Sequence, residues 1–518
     1  MLSGTIRVVT QTEATDPGGA GHGRPGRRSR AARRRRIARW TINAVAAAAL
    51  VLATIVLIYA LQARRLSDLQ PWHTAAPRLE MTAADLGSDV TLAHYLKREN
   101  ALFEETRTLL QAAVAPEERV PGNRYWEGSP NCQWNFATDW NRTFELVPAQ
   151  PKGGALLLHG LTDSPYSMRA VAQSLYKRGY YVLALRLPGH GTVPAALARA
   201  TWPDWLAATR LGARTVREKI GADLPFLMVG YSNGAALTVK HQLDALEDPT
   251  LPRASRIVLL SPMIGISPAA ALSRVLSSLS FIPCLSKSAW TDVQPEFNPY
   301  KYSSFPLNGG IQTHALTAAI ADGIERLKAN GLLAGMPPIL TFQSVLDATV
   351  STTAIVDTLF SRLPANGSEL VLFDLNRLAA LSTVFKPADR AFLGTLFSRE
   401  PRDYRLTLIT NANANTRVVV QKSVAPGARE ITEEPTGLEY PPDVFSLSHI
   451  AVPFPINDPV YGLVPDASES YGIRLGTLAA HGERAALLVP LEQLARIGCN
   501  PFYPYLEKRT LAWLEPQR

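Results

Sequence analysis

The sequence predicts an α/β fold, a mostly parallel sheet with helices on both faces, preceded by one N-terminal transmembrane helix. Three observations predict it. Between residues 143 and 262, short apolar runs alternate with longer runs of helical period, the pattern of strands covered on both faces. One of these runs ends in a Gly-x-Ser-x-Gly turn that opens directly into a helical stretch, Gly230-Tyr231-Ser232-Asn233-Gly234. Far upstream, the 22 residues Trp40–Leu61 contain no charge.

Charge is distributed unevenly around that uncharged run. The chain of 518 residues has a net charge of +9, yet residues 1–39 hold ten arginines against Glu13 and Asp16. The remainder is close to neutral, which argues against a nucleic-acid-binding body. At 46% hydrophobic and 19% charged residues the chain has ample material for a large core, which excludes a disordered or fibrous protein. A helix rising ~1.5 Å per residue over Trp40–Leu61 spans the ~30 Å hydrocarbon layer. The run is too long for the apolar part of a cleaved signal peptide, and no clear small-x-small cleavage site follows it. Arginine crowding on its N-terminal side, against Arg64 and Arg65 after it, predicts a cytoplasmic N-terminus. The rest of the chain is then extracytoplasmic, which is periplasmic in a Gram-negative cell. Residues 1–39 are accordingly read as a basic tail and 40–62 as the membrane anchor. Residues 63–140 are read as a linker with a helical segment, and 141–518 as the main domain.

In chain order, Leu92–Leu110 has amphipathic helical spacing. Thr143–Val147, Ala155–Leu158, Tyr181–Leu185, Phe226–Val229 and Ile257–Leu260 read as strands. Pro165–Lys177, Trp205–Ile220 and Ala235–Leu246 read as helices, the first stopping at Gly179. Pro337–Phe342 and Leu370–Phe373 read as further strands. Arg405–Thr410 and Arg417–Gln421, parted by Asn-rich turn residues, read as a hairpin. Cys132, Cys284 and Cys499 form no Cys-x-x-Cys pair, so on an oxidising side one disulfide with one leftover thiol is allowed and the pairing stays open. His-Glu-x-x-His and Walker-type phosphate loops are both missing, and Gly18–Gly23 lies in the tail without a preceding strand. No metal and no cofactor is expected, and nothing in the sequence speaks to oligomeric state.

The strand–turn–helix setting makes Ser232 the candidate nucleophile. A sharp turn needs glycine where backbones approach closely and holds the serine hydroxyl exposed in a strained conformation. A hydroxyl attacks only once a base takes its proton, and the base needs a carboxylate to orient it. In this architecture the order along the chain is Ser, then Asp or Glu, then His. Asp347, just past the apolar segment 337–342, is the first candidate acid, and Asp374, after 370–373, is the second. His449 and His481 follow both, and His449 is preferred because its small-residue loop runs into prolines. The oxyanion would be held by the N–H groups of Asn233, next to the nucleophile, and Leu161, in the His159-Gly160-Leu161 loop. His159 and His190 are read as supports for their loops.

His159–Pro165, Pro188-Gly189-His190-Gly191, Gly230–Gly234 and the segment Ser344–Val350 together resemble the α/β-hydrolase superfamily, in particular bacterial carboxylesterases and monoacylglycerol lipase-like hydrolases. The resemblance covers the middle of the chain well and residues 376–448 poorly. It implies a Ser-His-Asp serine hydrolase without cofactor, with Ser232, Asp347 and His449 as triad. It also makes residues 263–335 a cap over the site and residues 376–445 a second insertion. The expected substrate is a carboxylic ester with an apolar acyl part, such as a monoacylglycerol or lysolipid. Acyl transfer, amide or peptide cleavage on the same residues, and a catalytically silent membrane-anchored scaffold are the competing expectations.

Overall fold

The computed structural model describes residues 36–47, 50, 51, 54, 58, 61, 66–265, 283–381, 397, 401–478 and 495–514. It falls into two units, Met1–Leu61 and Gln62–Arg518. The described residues of the first unit are helical and exposed, among them Trp40 and Leu50. The basic tail through residue 35 and part of the 40–62 span lie outside the described residues. Among those described, no helix is long and apolar enough to cross a membrane.

In the second unit the strands are β1 (Phe144–Leu146), β2 (Gly153–Leu158), β3 (Tyr180–Leu185), β4 (Phe226–Tyr231), β5 (Arg256–Leu260), β6 (Trp290–Asp292), β7 (Phe305–Pro306), β8 (Ile339–Ser344), β9 (Glu369–Phe373), β10 (Arg405–Asn411), β11 (Val418–Val424) and β12 (Ile431–Glu439). The main helices are α1 (Leu92–Ala113), α2 (Arg169–Lys177), α3 (Trp202–Ile220), α4 (Asn233–Glu247), α5 (Leu307–Ala329) and α6 (Tyr503–Ala512). Ten strands form one sheet in the order β1-β3-β2-β4-β5-β8-β9-β10-β11-β12, while β6 and β7 pair separately. From β3 to β10 the pairing is parallel, and β1, β11 and β12 run antiparallel to their neighbours.

Successive strand residues point to opposite faces, which explains the unbroken apolar runs. Leu156, Leu158, Met228 and Leu259 face one layer with Trp205 of α3 and Leu237 and Leu243 of α4. Leu157, Val182, Val229 and Val258 face the other, with Val171 and Leu175 of α2 and Leu506 of α6. The chain runs from β2 to β3 on one side of it and then crosses over to β4 on the other. The carboxyl ends of β2 and β4 therefore flank a topological switch point, where crevices form in open α/β sheets.

Three expectations about organisation change. Helix α1 is no appendage of a linker: Tyr95, Leu102 and Phe103 are buried, and Tyr95 and Leu92 join the main core. The fully buried Arg186, just past β3, bonds Glu99 of α1 at 2.9 Å and Glu80 at 3.0 Å. Second, the expected cap over residues 263–335 divides. Residues 266–282 lie outside the described residues, but α5 packs against α4 with Leu316, Ile320 and Leu327 in the core, so it belongs to the helical layer of the sheet. Third, residues 401–445, the described body of the second insertion, extend the sheet. The hairpin is β10–β11, and β12 closes the edge with Glu433, Glu434 and Pro435, whose charge and missing N–H discourage further pairing. Cys132 and Cys499 are both buried free thiols, so neither takes part in the disulfide that the sequence allowed; the Cys284 side chain lies outside the described ones.

Candidate active site

Ser232 sits between β4 and α4 with φ 53° and ψ −114°, one of three non-glycine residues at positive φ among the described residues. The two glycines beside it have no room for a side chain. A Cβ on Gly230 would lie 2.4 Å from the Ala235 Cα, and one on Gly234 would lie 2.2 Å from the Leu158 carbonyl oxygen. The turn is tied down on its other side, with the Ser232 N–H donating to Leu260 at 2.9 Å and its carbonyl accepting from the Met263 N–H at 3.1 Å.

The structure brings Ser232, His449 and Asp347 together. His449 Nε2 lies 2.9 Å from Ser232 Oγ, and its Nδ1 lies 2.7 Å from Asp347 Oδ2, although 102 residues separate that pair in the chain. Asp347 follows the carboxyl end of β8, and its Oδ1 accepts the N–H groups of Thr349 at 2.7 Å and Val350 at 2.9 Å. Burial alone would raise its pKa, but the bond to His449, that residue's charge and the two amides outweigh burial and hold the carboxyl below the usual range. An ionised carboxylate only accepts, so His449 Nδ1 carries the proton and Nε2 is left to accept from the Ser232 hydroxyl. The loop bearing His449 is anchored on both flanks. Ser344 Oγ donates to the Leu447 carbonyl at 2.7 Å and Ser448 Oγ to that of Ile497 at 2.6 Å.

The loop after β2 lies against the nucleophile, with a Cβ on Gly160 falling 3.3 Å from the Ser232 Cβ. His159 pins this loop to the one after β3: its Nδ1 meets the Gly160 carbonyl at 2.9 Å and its Nε2 accepts the Leu187 N–H at 3.0 Å. Burial holds its pKa well below the ordinary value, as suits a neutral structural imidazole. His190 is likewise buried, bonded to the Pro188 carbonyl at 3.0 Å, and pushed down to about 4 by burial. Asn233 is the first residue of α4, so its N–H has no acceptor within the helix. Leu161 lines the cavity above Ser232.

Asp374 stands apart from this group. It bonds Arg377 at 2.6 Å and Thr410 Oγ1 at 2.7 Å, which makes it a clasp between β9 and β10. His481 lies outside the described residues. The sequence reading missed Gln343, whose Nε2 donates at 2.9 Å to the same Asp347 oxygen that His449 uses. The available signal was a glutamine inside the strand that leads to the acid, four positions before it.

A cavity of about 500 Å³ opens over Ser232 and His449. Leu161, Met263 and Phe305 supply apolar wall, and much of the remainder comes from residues 292–305 of the expected cap, with Gly310 and Thr313 from the first turns of α5. That segment is held by Arg124, which donates to the Asn298 carbonyl at 2.9 Å, and by Glu296, which accepts the Ser303 and Ser304 N–H groups at 3.0 and 2.8 Å. Among the described residues, no cluster of His, Cys, Asp and Glu could hold a metal ion. The arrangement can do covalent acyl chemistry: an exposed hydroxyl, an acceptor imidazole and an orienting carboxylate beside an enclosed space.

Parts of the chain are similar to known proteins. The family described as "Serine aminopeptidase, S33" (Hydrolase_4) matches residues 149–374. A thermostable monoacylglycerol lipase of Bacillus sp. (strain H-257) is 27% identical over 184 residues, which is 35% of this chain and 68% of the relative. Among solved structures, one of the metagenome-derived lipolytic enzymes LipS and LipT aligns with a TM-score of 0.35 at 24% identity, covering 50% of this chain and 98% of its own. The monoacylglycerol lipase of Paleococcus ferrophilus aligns with a TM-score of 0.34 at 17% identity, covering 49% and 97% respectively.

Proposed function

We propose that the chain is a serine hydrolase of the α/β-hydrolase superfamily, a reading supported by the family match over residues 149–374 and the likeness to a monoacylglycerol lipase, and that it cleaves carboxylic esters with an apolar acyl part, of monoacylglycerol or lysolipid type, through an acyl-enzyme. The observation that carries this reading is the continuous hydrogen-bonded line from Ser232 through His449 to Asp347 at the floor of a largely apolar cavity. The Ser232 proton passes to His449 Nε2 as Oγ attacks the ester carbonyl carbon. Asp347 stabilises the imidazolium that results. The N–H groups of Leu161 and Asn233 receive the developing oxyanion. The tetrahedral species collapses, the C–O bond of the ester breaks, and His449 returns the proton to the departing alcohol oxygen. Water then gives a proton to His449 and attacks the acyl carbon, and collapse releases the carboxylic acid and restores Ser232. An ester panel of graded acyl length, run beside an aminoacyl amide and an acceptor alcohol, tests the reading. Hydrolysis rising with acyl length is expected, and faster amide cleavage or dominant transfer to the alcohol would replace it.

The same proposal places the body outside the cytoplasm. Its support is the uncharged run at 40–61 with arginines crowded before it. A reporter active only outside the cytoplasm, fused after Arg518, is expected to function, and a cytoplasm-only reporter at the same position is expected to stay silent. The opposite pattern would overturn this topology.

A further inference from the structure

Two positive charges lie on the wall of the cavity over Ser232, at Lys301 and Arg496. Lys301 is held from both sides. Tyr300 stacks on Tyr166 with centroids 4.1 Å apart, and the Tyr302 N–H donates to Thr162 in the loop after β2 at 2.8 Å. Among the described residues, neither the Lys301 ammonium nor the Arg496 guanidinium forms a hydrogen bond or ion pair. Burial pushes the Lys301 ammonium down from its ordinary value and the charge of Asp163 opposes that shift, while the Lys301 residue is half-buried and Arg496 is exposed. One carboxylate, Asp163, acts on it electrostatically, and a second, Asp292, lines the same cavity. Asp163 lies buried, its Oδ1 accepting the Ser164 N–H at 2.9 Å, its Oδ2 unpartnered and its pKa raised to about 6 chiefly by burial. Asp292 lines the cavity but is engaged by the Gln294 side chain. The charged side chains that line the cavity are thus two cations, Lys301 and Arg496, against one carboxylate, Asp292, on the same wall system that receives the ester.

We propose that Lys301 and Arg496 form an anion subsite beside the nucleophile, and that the preferred ester carries a phosphate on its alcohol part, as in an acylglycerol phosphate. The inference rests on the ester-hydrolase reading above and narrows its substrate. A phosphate monoester suits two cations because it carries about −1.5 to −2 charge at neutral pH and offers three acceptor oxygens, where a carboxylate carries one charge. The apolar wall at Leu161, Met263 and Phe305 is left for the acyl chain. The reaction consumes water and yields a fatty acid and a glycerol phosphate, with the phosphate ester bond untouched.

The test compares kcat/KM for a 1-acylglycerol 3-phosphate and for the uncharged monoacylglycerol of the same chain, both below their aggregation concentrations. The full-length enzyme is expected to favour the phosphate ester by roughly tenfold, and Lys301→Met to lower that ratio by roughly 10- to 100-fold, the range of a lost charge-assisted bond. Lys301→Arg is expected to keep most of the preference, and added salt to erode it. Glycerol 3-phosphate should compete with the uncharged ester. These wild-type measurements judge the subsite even if Lys301→Met does not fold. Cleavage of the uncharged ester with no preference for the phosphate ester overturns the subsite alone. Inorganic phosphate inhibiting as well as glycerol 3-phosphate, without that preference, would mark a free-phosphate site and overturn the substrate claim. Failure to cleave either ester, with Ser232 unreactive to a fluorophosphonate, overturns the ester-hydrolase reading itself.

Discussion

Ser232→Ala is expected to lower ester turnover by roughly 10⁴- to 10⁶-fold and to abolish labelling by a fluorophosphonate probe. The substitution removes the only oxygen within reach of His449 Nε2 in the described geometry, 2.9 Å away, and with it the covalent route. A residual rate survives because the loop amides and the cavity still bind the ester. The fold should survive as well, because Ala keeps the Cβ and asks the turn for nothing new. Backbone strain adds a second readout. At φ 53° and ψ −114° a side chain is disfavoured, by about 1–3 kcal/mol at such positions, so Ser232→Gly should melt above Ser232→Ala while being equally inactive. Near-normal turnover by folded Ser232→Ala would refute the mechanism. Equal melting of the two variants would show that the turn stores no strain.

What could be read from the sequence follows the length scale of each signal. Strand and helix periodicity is local, so β2 to β5 and α2 to α4 were legible within a few residues of their ends. The proximity of Ser232, Asp347 and His449 was legible from topology, because carboxyl ends of neighbouring parallel strands lie together whatever the loop lengths between them. Residues 307–329 were assigned to the cap by position in the resemblance alone, and only the packing of α5 on α4 shows that most of the helix joins the layer on the sheet. Strand β12 reads Ile-Thr-Glu-Glu-Pro-Thr-Gly-Leu-Glu, with no buried face to impose alternation. Glu80, Glu99 and Arg186 meet only in the fold, so nothing local joined α1 to the main body. Gln343 and Lys301 are single polar residues whose surroundings, rather than their spacing, give them meaning.

Asp347→Asn should cost about 10⁴-fold in kcat, near 5.5 kcal/mol of barrier, with the protein folded and KM little changed. The expected size follows from which way the new amide must face. Asp347 Oδ1 accepts two backbone N–H groups, from Thr349 and Val350, and only the amide oxygen can take that place. The NH₂ then occupies the position of Oδ2, facing His449 Nδ1 and the Gln343 donor. Nδ1 must now accept, so the imidazole proton moves to Nε2 and points at Ser232 Oγ, and no base remains. Turning the amide over would rescue the histidine tautomer only by setting NH₂ against two backbone donors. Gln343 adds a check on this logic: Gln343→Leu removes one donor from the disputed oxygen and should relieve part of the crowding in Asp347→Asn without restoring the tautomer. Asp374→Asn is the control, since that carboxylate serves Arg377 and Thr410 and its loss should lower Tm rather than kcat. The measurement is kcat together with the fluorophosphonate labelling rate for each variant. A folded Asp347→Asn enzyme within tenfold of wild type, or an Asp374→Asn enzyme that folds normally and loses turnover by orders of magnitude, would move the acid of the triad away from Asp347.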